Sequence, residues 1–389
     1  MFDLRDDPDE AAFRARLRDW FAANLPPGWA DRDPTAGLED VAFMRGWSRR
    51  LHEAGYVGIT WPKEYGGLGL PPSYQGIYLE ESARHDAPGH VGVIGLGMAG
   101  PTIMAWGRQE QKERYLRPLL SGDEIWCQGF SEPGAGSDLA SLRTRAELDG
   151  DTWVVDGQKV WSSYAHVADW CLLLCRSDPT QERHGGLSYL LVDMHAPGVE
   201  VRPLRQITGD PEFNEIYFTG VRVPRASMLG EPGQGWDVAM TTLLHERGTL
   251  GFALTARLEQ LLSRLVASAR TTRRPDGRRA ADDPFVRDQV AALAVDLEGL
   301  RFTNYRSIAT LRRTGIPCPE GSITKLHWSE ANQRLTALAH ELLGPDARLD
   351  DTFWGYQHLR SRGNTIEAGT SEILRSIVAE RVVGLPRSR

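Results

Sequence analysis

The sequence predicts an α+β multidomain fold: an α-helical region over residues 1–121, a small β domain over 122–231 and a helical bundle over 232–389. Three observations predict it. Apolar residues recur at helical spacing in the first and last thirds of the chain. At Trp126 the period changes to strand-like alternation. Turn residues punctuate both changes, at Ser121–Gly122 and at Gly230–Gly235 (GEPGQG).

In the first region Pro8–Asp9–Glu10 starts a helix whose stripe is Phe13, Leu17, Trp20 and Phe21, stopped by Pro26–Pro27–Gly28. Val41–Gly55 repeats the pattern through Phe43, Met44, Trp47 and Leu51, with Gly55 as its C′ residue. WPKEYGGLGLPP (Trp61–Pro72) holds too much Gly and Pro for an element interior and reads as a structured loop. Helices Tyr74–His85, Val91–Gly107 and Glu110–Leu120 follow. The β-like runs are Arg143–Leu148, Thr152–Val155, Gln158–Ser162, Trp170–Arg176, Leu187–Val192, Val199–Gln206 and Glu215–Val223. Asp149–Gly150 and Asp156–Gly157 signal hairpins. Such short strands fit an antiparallel barrel or sandwich. From Trp236 a helical stripe runs through Met240, Leu243, Leu250, Leu254, Leu258 and Leu265 to a polar, Arg-rich connector, Thr271–Ala281. Asp283–Pro284 opens a second long helix as N-cap and N1. A third spans Ser322–Leu343, and a last helical element follows Gly369.

A hydrophobic fraction of 41% and a charged fraction of 25% are those of an ordinary globular protein. The net charge of −7 argues against a nucleic-acid binder, which presents a basic face. Of 45 cationic side chains only four are lysine: Lys63, Lys112, Lys159 and Lys325. Cys127, Cys171, Cys175 and Cys318 form no metal pattern, and Cys171 and Cys175 read as reduced core thiols on one strand face. No metal site is expected. The acidic start carries no apolar signal region and no run approaches the ~18 apolar residues of a membrane span. The expected location is cytoplasmic.

The chain is organised around Ile125–Asp138, IWCQGFSEPGAGSD, where an apolar run meets a Gly-rich loop and then a hydroxyl and a carboxylate. A lone GxG loop is weak evidence. Together with WPKEYGGLGL, VDGQKVWSS and GTSEILRSIVAERVVGLP, in this order over essentially the whole chain, the loop resembles the acyl-CoA dehydrogenase family of flavoproteins. The resemblance implies an N-terminal α domain, a small antiparallel β-barrel and a C-terminal four-helix bundle. It implies FAD, with Gln128, Phe130 and Ser131 beside the flavin, Trp161 packed on its ring and Ser163 hydrogen-bonded near its edge. Thr370 and Glu372 approach the cofactor of a neighbouring subunit. Ser137 faces the pantetheine arm of the thioester, and Arg247 and Gly369 join it on the substrate side.

The implied reaction is α,β-dehydrogenation of an acyl-CoA. A base removes the α proton while the β hydrogen leaves as hydride to the flavin. Hydrogen bonds to the thioester carbonyl stabilise the developing enolate, and desolvation raises the carboxylate base toward the working pH. In many members the base is a Glu directly before the Gly–Thr of the final motif. Here that position is Ala368, which keeps only its backbone N–H for the carbonyl. Glu367 stands one place early and is the poorer candidate. A minority of members keep the base on the first long helix of the bundle before an Arg, and His245–Glu246–Arg247 fits that arrangement, making Glu246 the expected base. Gly248 and Gly251, each costing about 1 kcal/mol in a helix, either clear space for a bulky or branched acyl group or allow close helix packing.

Two further departures concern the partner. The connector lacks the family's Arg–Gln–Phe–Gly grip on the adjacent subunit's FAD, leaving Arg273 or Arg274 to serve, and Glu341 stands where an acidic group is unfavourable beside a pyrophosphate. The expected assembly is a homo-oligomer or a heterotetramer with a second acyl-CoA dehydrogenase-like chain, passing electrons to an electron-transfer flavoprotein. The alternatives are a relative acting on an acyl-carrier-protein thioester or using oxygen, and a non-catalytic subunit of a heteromer.

Overall fold

The computed structural model describes residues 6–29, 40–315, 318–344 and 352–387, the side chains of 246–250 excepted. The chain forms two compact units. One gathers helices α1 (Pro8–Asn24) and α3 (Pro72–Arg84) with everything described from Arg247 onward. The other gathers α2 (Val41–Glu53), α4 (Gly100–Trp106), α5 (Gln109–Ser121), all the strands and the chain up to Glu246.

In the helical unit, α1 starts on a capping box. The Asp7 carboxylate accepts from Asp9 N and Glu10 N at 3.0 and 2.9 Å, and Glu10 Oε2 accepts from Asp7 N at 3.1 Å. The helix buries Phe13, Leu17 and Phe21. An ionic knot joins α1 to α3. Arg18 grips Glu81 with two bonds of 2.8 and 2.9 Å, Arg14 reaches Glu80 and Glu81 at 2.9 and 2.8 Å, and Arg84 reaches Glu81 at 2.9 Å. Glu81 is fully buried.

The long helices α6 (Gly235–Thr271, in this unit from Arg247), α7 (Pro284–Thr314) and α8 (Gly321–Leu343) share a core with α9 (Phe353–Asn364), built from Leu258, Leu265, Leu297, Trp328, Leu335 and Trp354 among others. A short α10 (Ser371–Val378) follows. A Cβ on Gly251 would stand 2.4 Å from Asn304 Oδ1 and 2.9 Å from Thr324 Cγ2. This glycine therefore serves close packing of α6 on α7 and α8, and no room for an acyl group comes from it. Gly248 lies among the side chains outside the description.

The strands are β1 (Trp126–Gly129), β2 (Arg145–Asp149), β3 (Thr152–Ser163), β4 (Trp170–Arg176), β5 (Leu187–Asp193), β6 (Val199–Leu204), β7 (Phe213–Pro224) and β8 (Met228–Leu229). They make one sheet in the order β6–β7–β3–β2–β4–β5–β8, with β1 on β4. The expected antiparallel barrel is corrected here on two counts. β1 and β2 both pair parallel to β4, and the sheet stays open between β6 and β8. The hairpin signal at Asp149–Gly150 fixes β2 against β3, but it is local and carries nothing about strands that meet by crossover. Asp156–Gly157, in contrast, is no hairpin. It is a bulge inside the single strand β3, where Gly157 has φ 151° and a Cβ would strike Thr144 at 2.5 Å. The sheet buries Cys127, Cys171 and Cys175 as free thiols, as expected of core residues.

Replacing Glu81 by Gln should cost about 1–3 kcal/mol, since it removes the buried anion on which Arg14, Arg18 and Arg84 converge. Burial pushes the Glu81 carboxyl up, but Arg18, Arg14 and Arg84 override it and hold it at about 2 against an ordinary 4.5. Its stabilisation is complete above the ordinary value and is lost as pH falls through the depressed one. Urea denaturation across that window should show the wild type losing stability faster than Glu81→Gln; parallel slopes would remove Glu81 from the acid-sensitive set.

Candidate functional site

In the sheet unit the candidate loop leaves one strand edge and returns to it. β5 takes one edge of β4, so β1, paired along Trp170–Leu173, and β2, meeting Arg176, share the other. The Gly-rich segment is the excursion between them. Lys159 holds it from inside: the side chain is fully buried, and Nζ donates to the Phe130 carbonyl and to Glu132 Oε1, each at 2.9 Å. The Glu132 carboxylate also accepts from Arg143 N and Thr144 N at 2.7 and 2.8 Å. Burial pushes its pKa up, but Lys159 and these donors hold it below the usual range. Burial pulls the Lys159 ammonium down, with Glu132 opposing.

The next residues of β3 complete the platform. Val160 N donates to the Ser131 carbonyl at 2.9 Å. Trp161 then takes a left-handed backbone, φ 61°, at a register irregularity, and its ring is 61% exposed, touching Phe213 edge-on at 5.9 Å. A large residue held at positive φ is strained, and such strain clusters at functional sites. Phe130 is buried edge-on against Tyr189 at 5.8 Å. Gln128 in β1, Ser131 and Ser163 at the end of β3 are all half-buried, while Ser137 is exposed. Gly134 and Gly136 are exposed, and a Cβ on either would meet no atom within 4 Å. Packing within the chain therefore does not require these glycines. An exposed indole beside a stiff loop with hydroxyls and open glycines fits a flat aromatic ligand such as a flavin.

In the helical unit, one face of α8 grips the turn after α9. Lys325, almost fully buried, donates to the carbonyls of Asn364 and Gly369 at 2.7 and 2.8 Å. Ser329 Oγ donates to the Asn364 carbonyl at 2.8 Å, Asn332 Nδ2 to Asn364 Oδ1 at 2.9 Å, and Gln333 Nε2 to the Ser361 carbonyl at 3.0 Å. Within the turn Ala368 and Gly369 both have positive φ, 50° and 93°. Among the described residues no acceptor meets the Ala368 N–H. Glu367 is tied down by Arg360 through bonds of 3.2 and 2.9 Å and by Asn364 Nδ2 at 2.8 Å. Thr370 caps α10, accepting from Ile373 N at 3.3 Å, and the exposed Glu372 sits in that first turn. Its carboxyl lies below the usual range through its own backbone N–H and Thr370.

Glu246 and Arg247 fall in the continuous helix α6, and their side chains lie outside the described residues. Burial pulls the neighbouring His245 imidazole down. The connector folds on itself: Arg274 pairs with Asp283, Arg278 with Asp276 at 2.7 Å, Arg279 with Asp282 at 2.9 Å, and Arg273 donates to the Gly277 carbonyl at 2.8 Å. These arginines are engaged locally, which does not fit a free grip on a pyrophosphate.

Sequence reasoning missed Glu132, Lys159, Lys325 and Arg360. A signal was present. In a chain with four lysines, two that fall inside apolar helical or strand patterns are placed for a reason.

Sequence models of the acyl-CoA dehydrogenase N-terminal, middle and C-terminal domains match residues 7–123, 127–221 and 233–383. Acyl-CoA dehydrogenase IpdE1 of Mycobacterium tuberculosis is 43% identical over 392 residues, 97% of this chain and 98% of that one. Two solved structures cover all of both chains at a TM-score of 0.87: the Tcur3481-Tcur3483 steroid ACAD, 33% identical, and the ChsE4-ChsE5 complex from Mycobacterium tuberculosis, 32% identical.

Lys159→Met should destabilise the protein by about 3–5 kcal/mol because it strands the Glu132 carboxylate. Adding Glu132→Leu should recover much of that loss. Urea denaturation of both singles and the double variant checks it, and additive costs would show that the two groups do not act as a pair.

Proposed function

The chain belongs to the acyl-CoA dehydrogenase family, whose members are oxidoreductases acting on CH–CH bonds and bind FAD, and on that premise we propose that it oxidises the Cα–Cβ bond of a bulky acyl-CoA with FAD as cofactor and Glu246 as base. The observation that carries the choice of base is the state of the terminal motif. Ala368 has no carboxylate, and Glu367 is neutralised by Arg360 and held by Asn364. A carboxylate so engaged already spends its oxygens on partners within the chain and is not free to reach a substrate proton. Glu246 remains, one residue before Arg247 on α6.

The chemical contribution of bound FAD is to accept the β hydrogen as hydride. Trp161 would lie against its ring, with Ser131, Gln128, Phe130 and Ser163 along the loop and strand that carry that indole. Thr370 and Glu372 would meet the cofactor of a neighbouring subunit. Glu246 would take the α proton. The Ala368 N–H would donate to the thioester carbonyl, an oxyanion-type contact whose removal typically costs about 10²–10³ in kcat. Ser137, Arg247 and Gly369 would face the thioester.

The acyl class rests on a likeness. The Tcur3481-Tcur3483 relative is described as a steroid ACAD, and we extend a polycyclic acyl group to this chain on that ground. An electron-transfer flavoprotein is the proposed electron acceptor. The connector supports a heteromer. With Arg274, Arg278 and Arg279 paired to their own aspartates, part of the cofactor grip would come from a second acyl-CoA dehydrogenase-like chain, as in an assembly of two different chains such as ChsE4-ChsE5.

Glu246→Gln should slow anaerobic bleaching of the flavin by acyl-CoA about 10²–10⁴-fold with FAD still bound; undiminished bleaching would reject Glu246 and make Glu367→Gln the next variant. The chain purified alone should hold little flavin and gain it on co-expression with its partner chain. Full flavin absorbance in the isolated chain would favour the homo-oligomer.

A further inference from the structure

Asn364 ends α9 and Thr370 caps α10, so the five residues between them must turn the chain sharply. The near end is fixed several times over. Ser329, Asn332 and Gln333 hold Asn364 and Ser361, and Ile366 N and Glu367 N both donate to the Gly363 carbonyl at 2.9 and 3.0 Å. The far end has fewer ties. Ser371 N donates to the Thr365 carbonyl at 3.0 Å, and among the described residues Lys325 alone reaches the Gly369 carbonyl, while also holding Asn364. Its ammonium thus spans the turn, with Ala368 inside the span. An alanine at φ 50° sits where an L side chain is disfavoured, and such a conformation persists only when its surroundings impose it.

We propose that Lys325 is a positioning residue of the reaction: it clasps the two ends of the Asn364–Gly369 turn and so holds Ala368 in the left-handed conformation that presents its N–H. The idea rests on the reading of that N–H as the donor to the thioester carbonyl. A lysine suits the task because one ammonium offers several donors on a long stem. Its charge also favours the C-terminal end of α9, where helix carbonyls lack partners. Without Lys325 the α9 end stays docked through Ser329, Asn332 and Gln333, while Ala368 and Gly369 are held only through their flanks, by the Glu367 contacts and the Ser371 N bond to the Thr365 carbonyl, and lose the bond made to the Gly369 carbonyl.

A double-mutant cycle on the holoenzyme tests this, using Lys325→Gln, Ala368→Gly and the double variant, with kcat, KM and melting temperature read for each. Glycine takes the left-handed conformation without help. Lys325→Gln should lower kcat about 10²-fold with KM changed less than about 3-fold. Adding Ala368→Gly should restore kcat by about 10-fold and shrink the melting-temperature loss. Additive melting shifts, or a kcat loss that glycine does not relieve, would overturn the clasp. Coupled melting shifts with unchanged kcat would overturn its part in the reaction. The melting cycle needs no turnover, so a wild type that oxidises no acyl-CoA sinks the functional reading while the clasp is still judged by the coupling. If Lys325→Gln does not fold, Lys325→Arg takes its place in the same cycle, under the same criteria.

Discussion

Taking a lysine ammonium out of water costs several kcal/mol unless oxygen atoms replace its hydration shell. That requirement shapes the candidate loop in each unit. Around Lys159 the oxygens come from the Phe130 carbonyl and the Glu132 carboxylate, so Ser131 and its neighbours have a fixed path. Around Lys325 they come from the two ends of the Asn364–Gly369 turn. A loop that must supply oxygens to a buried cation cannot drift. Both candidate loops are irregular segments without ladder pairing along their length, and the lysine bonds add rigidity there.

Two strained backbone positions adjoin the lysine-held segments. Trp161 and Ala368 are non-glycine residues at positive φ, and each adjoins a lysine-held segment. In β3 the irregularity after Lys159 turns an indole outward that a regular strand would direct to one face of the sheet. In the turn, Ala368 has a left-handed backbone and no carboxylate. Glu367 is paired with Arg360, and burial pulls the His245 imidazole down.

The arginine-rich surface has a different character. In the connector and in the knot around Glu81 the guanidinium groups are spent on nearby carboxylates. Exposed pairs of this kind contribute little each, but they withdraw charge from ligand binding. The Glu81 knot is the exception, since three arginines converge on one buried carboxylate and tie α1 to α3.

The sequence by itself determined the order of helices, strands and helices, the start of α1 at Pro8, the capping of α7, the turn at Asp149–Gly150 and the motifs that mark the family. These are local: period, caps and turn residues act over a few positions, and motifs are read in place. It also marked Ala368 as the missing carboxylate and Glu246 as the residue to test, and this identification rests on motif position alone. Only the tertiary structure decided that β1 and β2 share one edge of β4 in parallel, that Gly157 is a bulge and that the sheet stays open. It alone decided that Gly251 makes room for Asn304. It alone brought Lys159 to Phe130 and Lys325 to Gly369, pairs separated by 29 and 44 residues. Pairings of that kind depend on which segments cross in space, and no local pattern of apolar and polar residues encodes the crossing.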